Sequence, residues 1–542
     1  MTNSRIIQLS GLLLLAAGCT EPVDEESHGS QLLSPRQQLK RVSVDLRGVH
    51  PSEAEMQAIE NNPALYEEYV DRYLQDPRML ERMREIFNYR YLLRTGATYD
   101  MGADNFSSTE VSLAIDNEAL RLLTRIIEFD LPYSEIVLAD YTMANPALAE
   151  AFDLDYPEGA TNWQPAWYTD DRPHAGILTM SSTWLRYPSM AGNANRHRAN
   201  ALSKMLLCDD YLARPVVLSR AAVDQLTVDP EAAINENDAC QSCHSTLDPL
   251  SAHFFGFFKE DEDDYSVDYQ PEREEVWRDY SGKAPAYYGI PTANFDELVG
   301  HIADDSRFVD CAVQTVFEGL TQRLFVDADW SEFQTHRDAF EDGDLVMRPL
   351  IKSIVMSDNY RAEFFDDAEL AERVPTIKTV SPGQFADIIE DATGYRWTFG
   401  GSDGMTAHTK GLPVLAGGID GAFVTERAYE PSVGLVFIQE RLATSAAWFV
   451  AEHDLDPDRT EPAILLKYVT INDDPDGQYE AFKQQLEELY LEVAGVPLEA
   501  GDLEADALIT LWRQLYSVEA SPTKAWAGVL SAILRDPAVL FY

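Results

Sequence analysis

Residues 237–249 read NDACQSCHSTLDP and contain two of the five cysteines in a chain of 542 residues. Cys240 and Cys243 stand three positions apart, and His244 follows the second cysteine directly. This C-x-x-C-H spacing is typical of the attachment of c-type haem, in which two thiols form thioethers at one edge of the porphyrin and the adjacent imidazole ligates the iron. The stretch therefore predicts a cytochrome c-like module that binds haem c, with His244 as the proximal iron ligand.

Three other interpretations of the motif stay open. A zinc site needs a fourth ligand at close spacing, and no second cysteine pair or H-x-x-x-H follows. A redox dithiol of the thioredoxin type is expected where a strand turns into a helix, whereas the acidic stretch PEAAINEND precedes this motif. A chance occurrence of the motif is the third interpretation. The missing zinc ligand and the missing strand favour haem.

The second axial ligand of the iron is not fixed by the sequence. A methionine would raise the reduction potential, a second histidine would lower it, and an open position would allow oxygen or peroxide chemistry. Met180 and Met190 are the candidate metal ligands, because they lie in a segment that glycine, proline and asparagine make irregular. The further candidates are Met205, Met347, Met356, His174, His197, His253 and His301.

The N-terminal stretch MTNSRIIQLSGLLLLAAGC predicts export. Arg5 is its only charge, a short apolar run follows, and small residues lead into Cys19. This is the pattern of a signal peptide, and the apolar run is too short to span a bilayer. The segment AAGC resembles the bacterial lipobox, which implies that Cys19 is lipidated, and Thr20 in place of aspartate implies an outer-membrane destination. An ordinary signal peptide is the alternative.

The charge balance excludes several classes of partner. The chain has 92 acidic and 42 basic residues, which gives a formal net charge of −50 at pH 7. Such a surface repels phosphate backbones and anionic headgroups, so we expect no nucleic-acid partner and no basic membrane-binding patch. Attachment to the membrane would then depend on the lipid anchor alone, since each buried methylene contributes about 0.8 kcal/mol.

The two remaining cysteines are Cys208 and Cys311. An exported chain in an oxidising compartment tends to pair its cysteines, so we predict a disulfide between them. Two buried free thiols are the alternative, because an isolated cysteine behaves as a small hydrophobic residue.

Hydrophobic periodicity predicts a mainly α, multi-domain helical protein with long acidic loops. Apolar residues recur on one face within 111–129, and Gly495 is the expected end of a helix that begins near Phe482. Ser52 and Glu55 form a capping-box pattern at a helix start. Alternating strands are scarce, and the segments KTVSPG and LPVLAG are short strands at best.

The segment RVSVDLRGVHPSEAEM resembles the opening of secreted bacterial proteins built from uncharacterised domains beside planctomycete-type cytochrome c modules. LADYTMANPALAEAF, HAGILTMSSTWL, RHRANALSKMLLC and the C-x-x-C-H motif follow in the family's order, as do FVDCAVQTVFEGLTQR and DLVMRPLIKSIVMSDNYR. The resemblance covers about residues 36–365 and implies an exported haem-c protein of unknown physiological role. It assigns Cys240 and Cys243 to the thioethers and His244 to the iron.

Asp248 and Pro249 match the family's Asp-Pro pair. The chain departs from the family after this pair, where it reads SAHFFGFFKEDEDD. It also departs at Met180, where the family often has glutamine or histidine.

The expected domain order combines these observations. It is a lipoprotein signal peptide (1–18), a flexible acidic tether (19–35), an N-terminal helical domain (36–170), a cytochrome c-like haem-binding region (171–365), a linker (366–378) and a C-terminal mainly helical domain (379–542). The predicted function is electron transfer through the haem of an exported monohaem lipoprotein, with a redox partner protein, in the periplasm or at the cell surface. A haem-dependent oxidoreductase of the peroxidase or oxygenase type and a surface binding or scaffold protein are the alternatives.

Overall fold

The computed structural model of the protein describes residues 30–189, 193–217, 219–257, 268–365, 371, 374–399, 402–406, 411–498 and 503–542. Across these residues the chain is mainly helical, as predicted, with 26 α-helices and eight short strands. The signal peptide, Cys19 and Met190 lie outside the described residues.

The helices are short and follow one another closely along the chain. The first nine are α1 (Pro35–Arg47), α2 (Glu53–Asn61), α3 (Tyr66–Tyr73), α4 (Arg78–Tyr91), α5 (Ser108–Ile115), α6 (Glu118–Glu128), α7 (Glu135–Leu138), α8 (Pro146–Ala151) and α9 (Ser181–Arg186). The next ten are α10 (Arg196–Leu207), α11 (Arg220–Val228), α12 (Pro230–Glu236), α13 (Asp238–Ser251), α14 (Trp277–Tyr280), α15 (Phe295–Ala303), α16 (Ser306–Thr321), α17 (Trp330–Asp342), α18 (Met347–Met356) and α19 (Asp358–Arg361). The last seven are α20 (Pro382–Thr393), α21 (Leu412–Leu415), α22 (Val433–Asp454), α23 (Tyr479–Ala494), α24 (Leu503–Glu519), α25 (Pro522–Ile533) and α26 (Pro537–Leu540).

The strands form four antiparallel two-stranded ribbons. The pairs are β1 (Ser30–Leu32) with β6 (Ala362–Phe365), β2 (Thr142–Ala144) with β3 (Gln164–Ala166), β4 (Ala286–Tyr287) with β5 (Ile290–Pro291), and β7 (Thr398–Phe399) with β8 (Ser402–Asp403). The β1–β6 pair joins the start of the described chain to the segment after α19. LPVLAG is helical at α21, so its interpretation as a strand was wrong.

Local sequence signals account for the helix ends. Ser52 caps α2 and forms the predicted capping box with Glu55. Gly495 ends α23 in the left-handed conformation, at φ 64°. The predicted helix over 111–129 is instead two helices, α5 and α6. The break falls at Asp116 and Asn117, whose side chains accept hydrogen bonds from the backbone of Gly96 and from Arg94.

Two large hydrophobic cores lie on either side of α1. Leu39, Val42 and Leu46 belong to the first core, which draws residues from 39 to 360, whereas Val44 belongs to the second, which otherwise draws from 380 to 540. A helix between two cores has no solvent-facing side, and every residue from Leu39 to Arg47 is buried. The polar residues of α1 must therefore find partners inside the protein.

Asp45 of α1 is the centre of a buried polar cluster between the cores. It accepts hydrogen bonds from Lys378 Nζ at 2.7 Å, from the hydroxyl of Tyr360 at 2.5 Å and from the hydroxyl of Tyr542 at 2.5 Å. Lys378 also donates to the carbonyl of Leu320 at 2.6 Å. This cluster ties α1 to the end of the chain.

The C-x-x-C-H motif lies in α13, which packs against α10, and α10 in turn packs against α16. A disulfide joins Cys208, at the end of α10, to Cys311 in α16, with 5.2 Å between the two Cα atoms. The covalent link therefore fixes α10, the immediate support of the motif helix.

Candidate functional site

The motif occupies the first two turns of α13. The side chain of Asn237 caps this helix and accepts a hydrogen bond from the backbone of Ala239 at 3.0 Å. Cys240, Cys243 and His244 are half-buried, and both cysteines are free thiols. Because positions three and four apart share one face of a helix, the two thiols and the imidazole lie on the same side of α13.

The imidazole of His244 is held from within the protein. Its Nδ1 lies 2.9 Å from Oδ1 of Asp248, one turn further along α13. The side chain of Asp248 is 2% exposed, whereas that of His244 is 22% exposed. Among the described residues, Nε2 of His244 has no hydrogen-bond partner.

Arg196, the first residue of α10, holds the same carboxylate through both of its oxygens. Its Nε lies 2.6 Å from Oδ1 of Asp248 and its Nη2 lies 3.0 Å from Oδ2. Burial alone would raise the pKa of Asp248, but the hydrogen bonds from His244 and Arg196 and the charge of Arg196 outweigh it and lower that pKa. Asp248 is therefore ionised at neutral pH.

The ionised carboxylate decides which imidazole nitrogen carries the proton. A carboxylate is only an acceptor, so Nδ1 of a neutral His244 must be the donor. The tautomer with its proton on Nδ1 leaves the lone pair on Nε2, which is the nitrogen without a partner. Metal-ligating histidines commonly donate their other ring nitrogen to a carboxylate in this way, which makes them stronger ligands.

The chain on the N-terminal side of the motif exposes apolar side chains. Leu212, Val217 and Val228 are 83%, 90% and 86% exposed. They belong to the segment that runs through α11 into α12, and α12 packs directly on α13. The two free thiols and the anchored imidazole on one face of α13 fit covalent attachment of a haem.

Of the two predicted methionine ligands, Met180 belongs to the described residues and Met190 does not. Met180 is buried in the first core and lines a small cavity with residues of 139–142 and 167–179, none of which belongs to α13. Met205 and Met347 are also buried in that core.

Three of the four candidate histidines have partners of their own. Nδ1 of His197 lies 3.2 Å from the carbonyl of Pro188, and His301 stacks on the ring of Tyr287. Nε2 of His253 lies 2.7 Å from the hydroxyl of Thr292, and burial lowers the pKa of His253 to about 4. His174 lines the same small cavity as Met180.

Within the described part of the chain, no three His, Cys, Asp or Glu side chains gather as they would around a metal ion. Across the same residues, no helix is long and apolar enough to cross a membrane.

Sequence reasoning missed Arg196 as a member of the site. Asp248 was noted only as a match to the family's Asp-Pro pair, and Arg196 stands 52 residues away from it. The spacing of His244 and Asp248, four apart in one helix, is the signal that could have identified the hydrogen-bonded pair.

Comparisons with known proteins reach only the N-terminal part of the chain. Neither the curated proteins nor the solved structures include a match. The model of the family PSCyt2, described as a protein of unknown function (DUF1549), matches residues 23–140. This match confirms the resemblance for the N-terminal part, and it ends before the C-x-x-C-H motif. Residues 23–140 are therefore similar to a family whose own function is unknown.

Proposed function

We propose that the protein is an exported monohaem c-type cytochrome-like lipoprotein that transfers electrons to or from a redox partner protein. Cys240 and Cys243 would hold haem c through thioethers, and Nε2 of His244 would ligate its iron. The observation that carries this proposal is the position of both free thiols and a Nδ1-anchored imidazole on one face of α13.

The chain's own residues account for the proximal side of such a centre. When bound, the haem would supply an iron that alternates between Fe(II) and Fe(III). Asp248 keeps the proton of His244 on Nδ1 and fixes the plane of the imidazole. Arg196 fixes Asp248 in turn through two hydrogen bonds, so that the orientation of His244 depends on α10 as well as on α13.

A second candidate function is a haem-dependent oxidoreductase of the peroxidase or oxygenase type. The specific observation in its favour is again the carboxylate on Nδ1, because a more basic imidazole donates more electron density to a metal. Electron transfer requires a second axial ligand on the iron, whereas an open position would favour the oxidoreductase, so occupancy of that position decides between the two.

The location of the protein is part of the proposal. The signal-peptide pattern and the lipobox-like AAGC support export and lipidation of Cys19. The polar stretch after Cys19 would then act as a tether, with the protein at the cell envelope. Haem attachment to C-x-x-C-H motifs takes place outside the cytoplasm, so export and the motif support each other.

The test is expression in a host that matures c-type cytochromes. We expect a mass increase equal to one haem, a Soret band, and loss of both in Cys240→Ser and Cys243→Ser. Ser242→Ala is the matched control, because Ser242 lies between the two cysteines and is exposed. Wild-type protein that folds and carries no haem under these conditions would refute the proposal.

The spectrum of the reduced protein separates the two candidate functions. A low-spin spectrum that carbon monoxide does not change supports electron transfer. A high-spin spectrum that shifts with carbon monoxide supports the oxidoreductase.

A further inference from the structure

A cleft of about 370 Å³ lies away from α13, between the N-terminal helices and the segment after α19. One wall is formed by α4, α6 and the chain that links α5 to α6. The other wall is formed by α20 and by Arg396, Asp403, Met405, Thr406, Pro413, Gly418 and Ile419. The volume is in the range of small-molecule sites.

The first wall carries an arginine without an acidic partner. Arg121 forms no ion pair with any described residue, and its Nε is buried without a hydrogen-bond partner. Its guanidinium lies over the ring of Trp163, 5.1 Å from the ring centroid, which fixes its position. Burial and the nearby charge of Arg84 lower the pKa of Arg121 to about 10, so it stays charged at neutral pH.

The charge around Arg121 is positive overall. Arg84 and Arg94 share a single carboxylate, that of Glu81. Glu85 on the same wall is paired with Arg82, so Arg84, Arg94 and Arg121 against Glu81 leave two positive charges uncompensated before Asp116 is counted. Burial raises the pKa of the neighbouring Asp116 to about 7, so this group carries about half a negative charge at pH 7 and the wall keeps a positive excess.

The second wall has the opposite imbalance. Arg396 is its only described cation in the cleft lining, and three carboxylates share it: Asp387, Glu390 and Asp403. Two negative charges are therefore uncompensated. Burial raises the pKa of Asp387 to about 6 even though Arg396 contacts it, which is what an incompletely compensated carboxylate shows.

Apolar side chains lie between the charged groups. Leu113 of α5 belongs to the first wall, and Met405 and Ile419 belong to the second. A ligand that suits the cleft therefore has an anionic end, a cationic end and an apolar part.

We propose that this cleft binds a small zwitterion of the α-amino acid class with an apolar side chain. The ligand's carboxylate would contact Arg121, which presents the paired N–H groups that match a carboxylate. Its ammonium would face Asp387 on the opposite wall. The proposal does not depend on the haem, because no residue of α13 lines the cleft.

Calorimetry on the full-length protein tests the proposal with three probes. L-Leucine carries both charges, isocaproate lacks the ammonium, and isoamylamine lacks the carboxylate. We expect L-leucine to bind at least about tenfold more tightly than either analogue, the effect of one charge-assisted hydrogen bond. Both analogues are smaller than leucine, so a steric clash cannot explain weaker binding.

Two variants test which wall of the cleft contacts the carboxylate of the ligand and which contacts its ammonium. Arg121→Gln should weaken L-leucine about tenfold and leave isoamylamine unchanged, while Asp387→Asn should weaken L-leucine and leave isocaproate unchanged. Arg513→Gln is the control, because Arg513 is a surface arginine paired with Asp476, and neither residue lines the cleft. Absence of saturable leucine binding at millimolar concentration, or equal binding of all three probes to the wild type, would overturn the proposal whether or not the variants fold.

Discussion

Replacing Asp248 with asparagine tests the link between the buried carboxylate and the proposed haem iron. The substitution keeps the shape of the side chain and removes its charge. Nδ1 of His244, now 2.9 Å from a carboxylate oxygen, would face a neutral amide. An axial imidazole with a neutral partner donates less electron density, so Fe(III) loses stabilisation relative to Fe(II) and the reduction potential rises.

The magnitude follows from the two kinds of hydrogen bond. A bond to a charged group contributes about 1.5–3 kcal/mol and a neutral bond about 0.5–1.5 kcal/mol. Their difference of about 1.4 kcal/mol corresponds to about 60 mV for one electron. Because Asp248 is 1% exposed, solvent screens this interaction little. We expect the potential of Asp248→Asn to lie about 60 mV above that of the wild type.

Arg196 gives the same reasoning a second test with the opposite sign. Its Nε and Nη2 hold the carboxylate at 2.6 Å and 3.0 Å and so compete with His244 for its charge. In Arg196→Gln the carboxylate interacts mainly with His244, so the potential should fall below that of the wild type. Asp238→Asn is the matched control, because Asp238 is an exposed residue in the first turn of the same helix.

Spectroelectrochemical titration of the matured protein measures all four potentials. Circular dichroism and the Soret band show that each variant is folded and loaded. A loaded Asp248→Asn protein whose potential is unchanged or lowered would refute the reasoning about the carboxylate. A protein without a Soret band would instead refute the proposed haem, so the two failures are distinguishable.

Three further predictions concern stability. Replacing Cys208 and Cys311 with serine should lower the free energy of unfolding by about 2–5 kcal/mol in denaturant titrations, because their disulfide closes a loop with a sequence separation of 103. Equal stability of the variant and the wild type would show that the disulfide does not form. Lys378→Met should lower the free energy of unfolding by about 3–5 kcal/mol in the same assay, since it leaves the carboxylate of Asp45 buried without its cation. An unchanged free energy of unfolding would mean that the pair is dispensable. Burial raises the pKa of Asp116 above its ordinary 3.8 to about 7, so the stability that its protonated form contributes is complete below pH 3.8 and is lost as the pH rises through 7. Between these pH values the wild type should therefore lose stability relative to Asp116→Asn. Parallel pH profiles of unfolding free energy for the two proteins would contradict this.

Features that depend on neighbouring residues could be predicted from the sequence. The capping box of Ser52 and Glu55 joins residues three apart, and Gly495 ends its helix because glycine adopts a positive φ at little cost. The C-x-x-C-H motif is local in the same sense, and it lies in a helix that brings its three side chains to one face.

Features that depend on distant residues could not be predicted. The segment RVSVDLR has four polar or charged residues in seven, yet all seven are buried in α1. Asp45 is tolerated there only because Lys378 and Tyr542 reach it from 333 and 497 positions away. The break between α5 and α6 has a similar origin, since Asp116 bonds the backbone of Gly96 in another segment.

The same distinction explains why the motif alone does not specify a redox centre. Two thiols and an imidazole would be enough to attach the proposed haem. The proton on His244 and the basicity of its Nε2 are instead set by Asp248 and, through it, by Arg196 on another helix. The disulfide between Cys208 and Cys311 links the end of that helix to α16. Reduction of this disulfide should therefore loosen the support of Arg196, and the potential of the proposed haem should move in the direction expected for Arg196→Gln. A potential that is unchanged after reduction under native conditions would show that packing against α13 alone holds Arg196 in place.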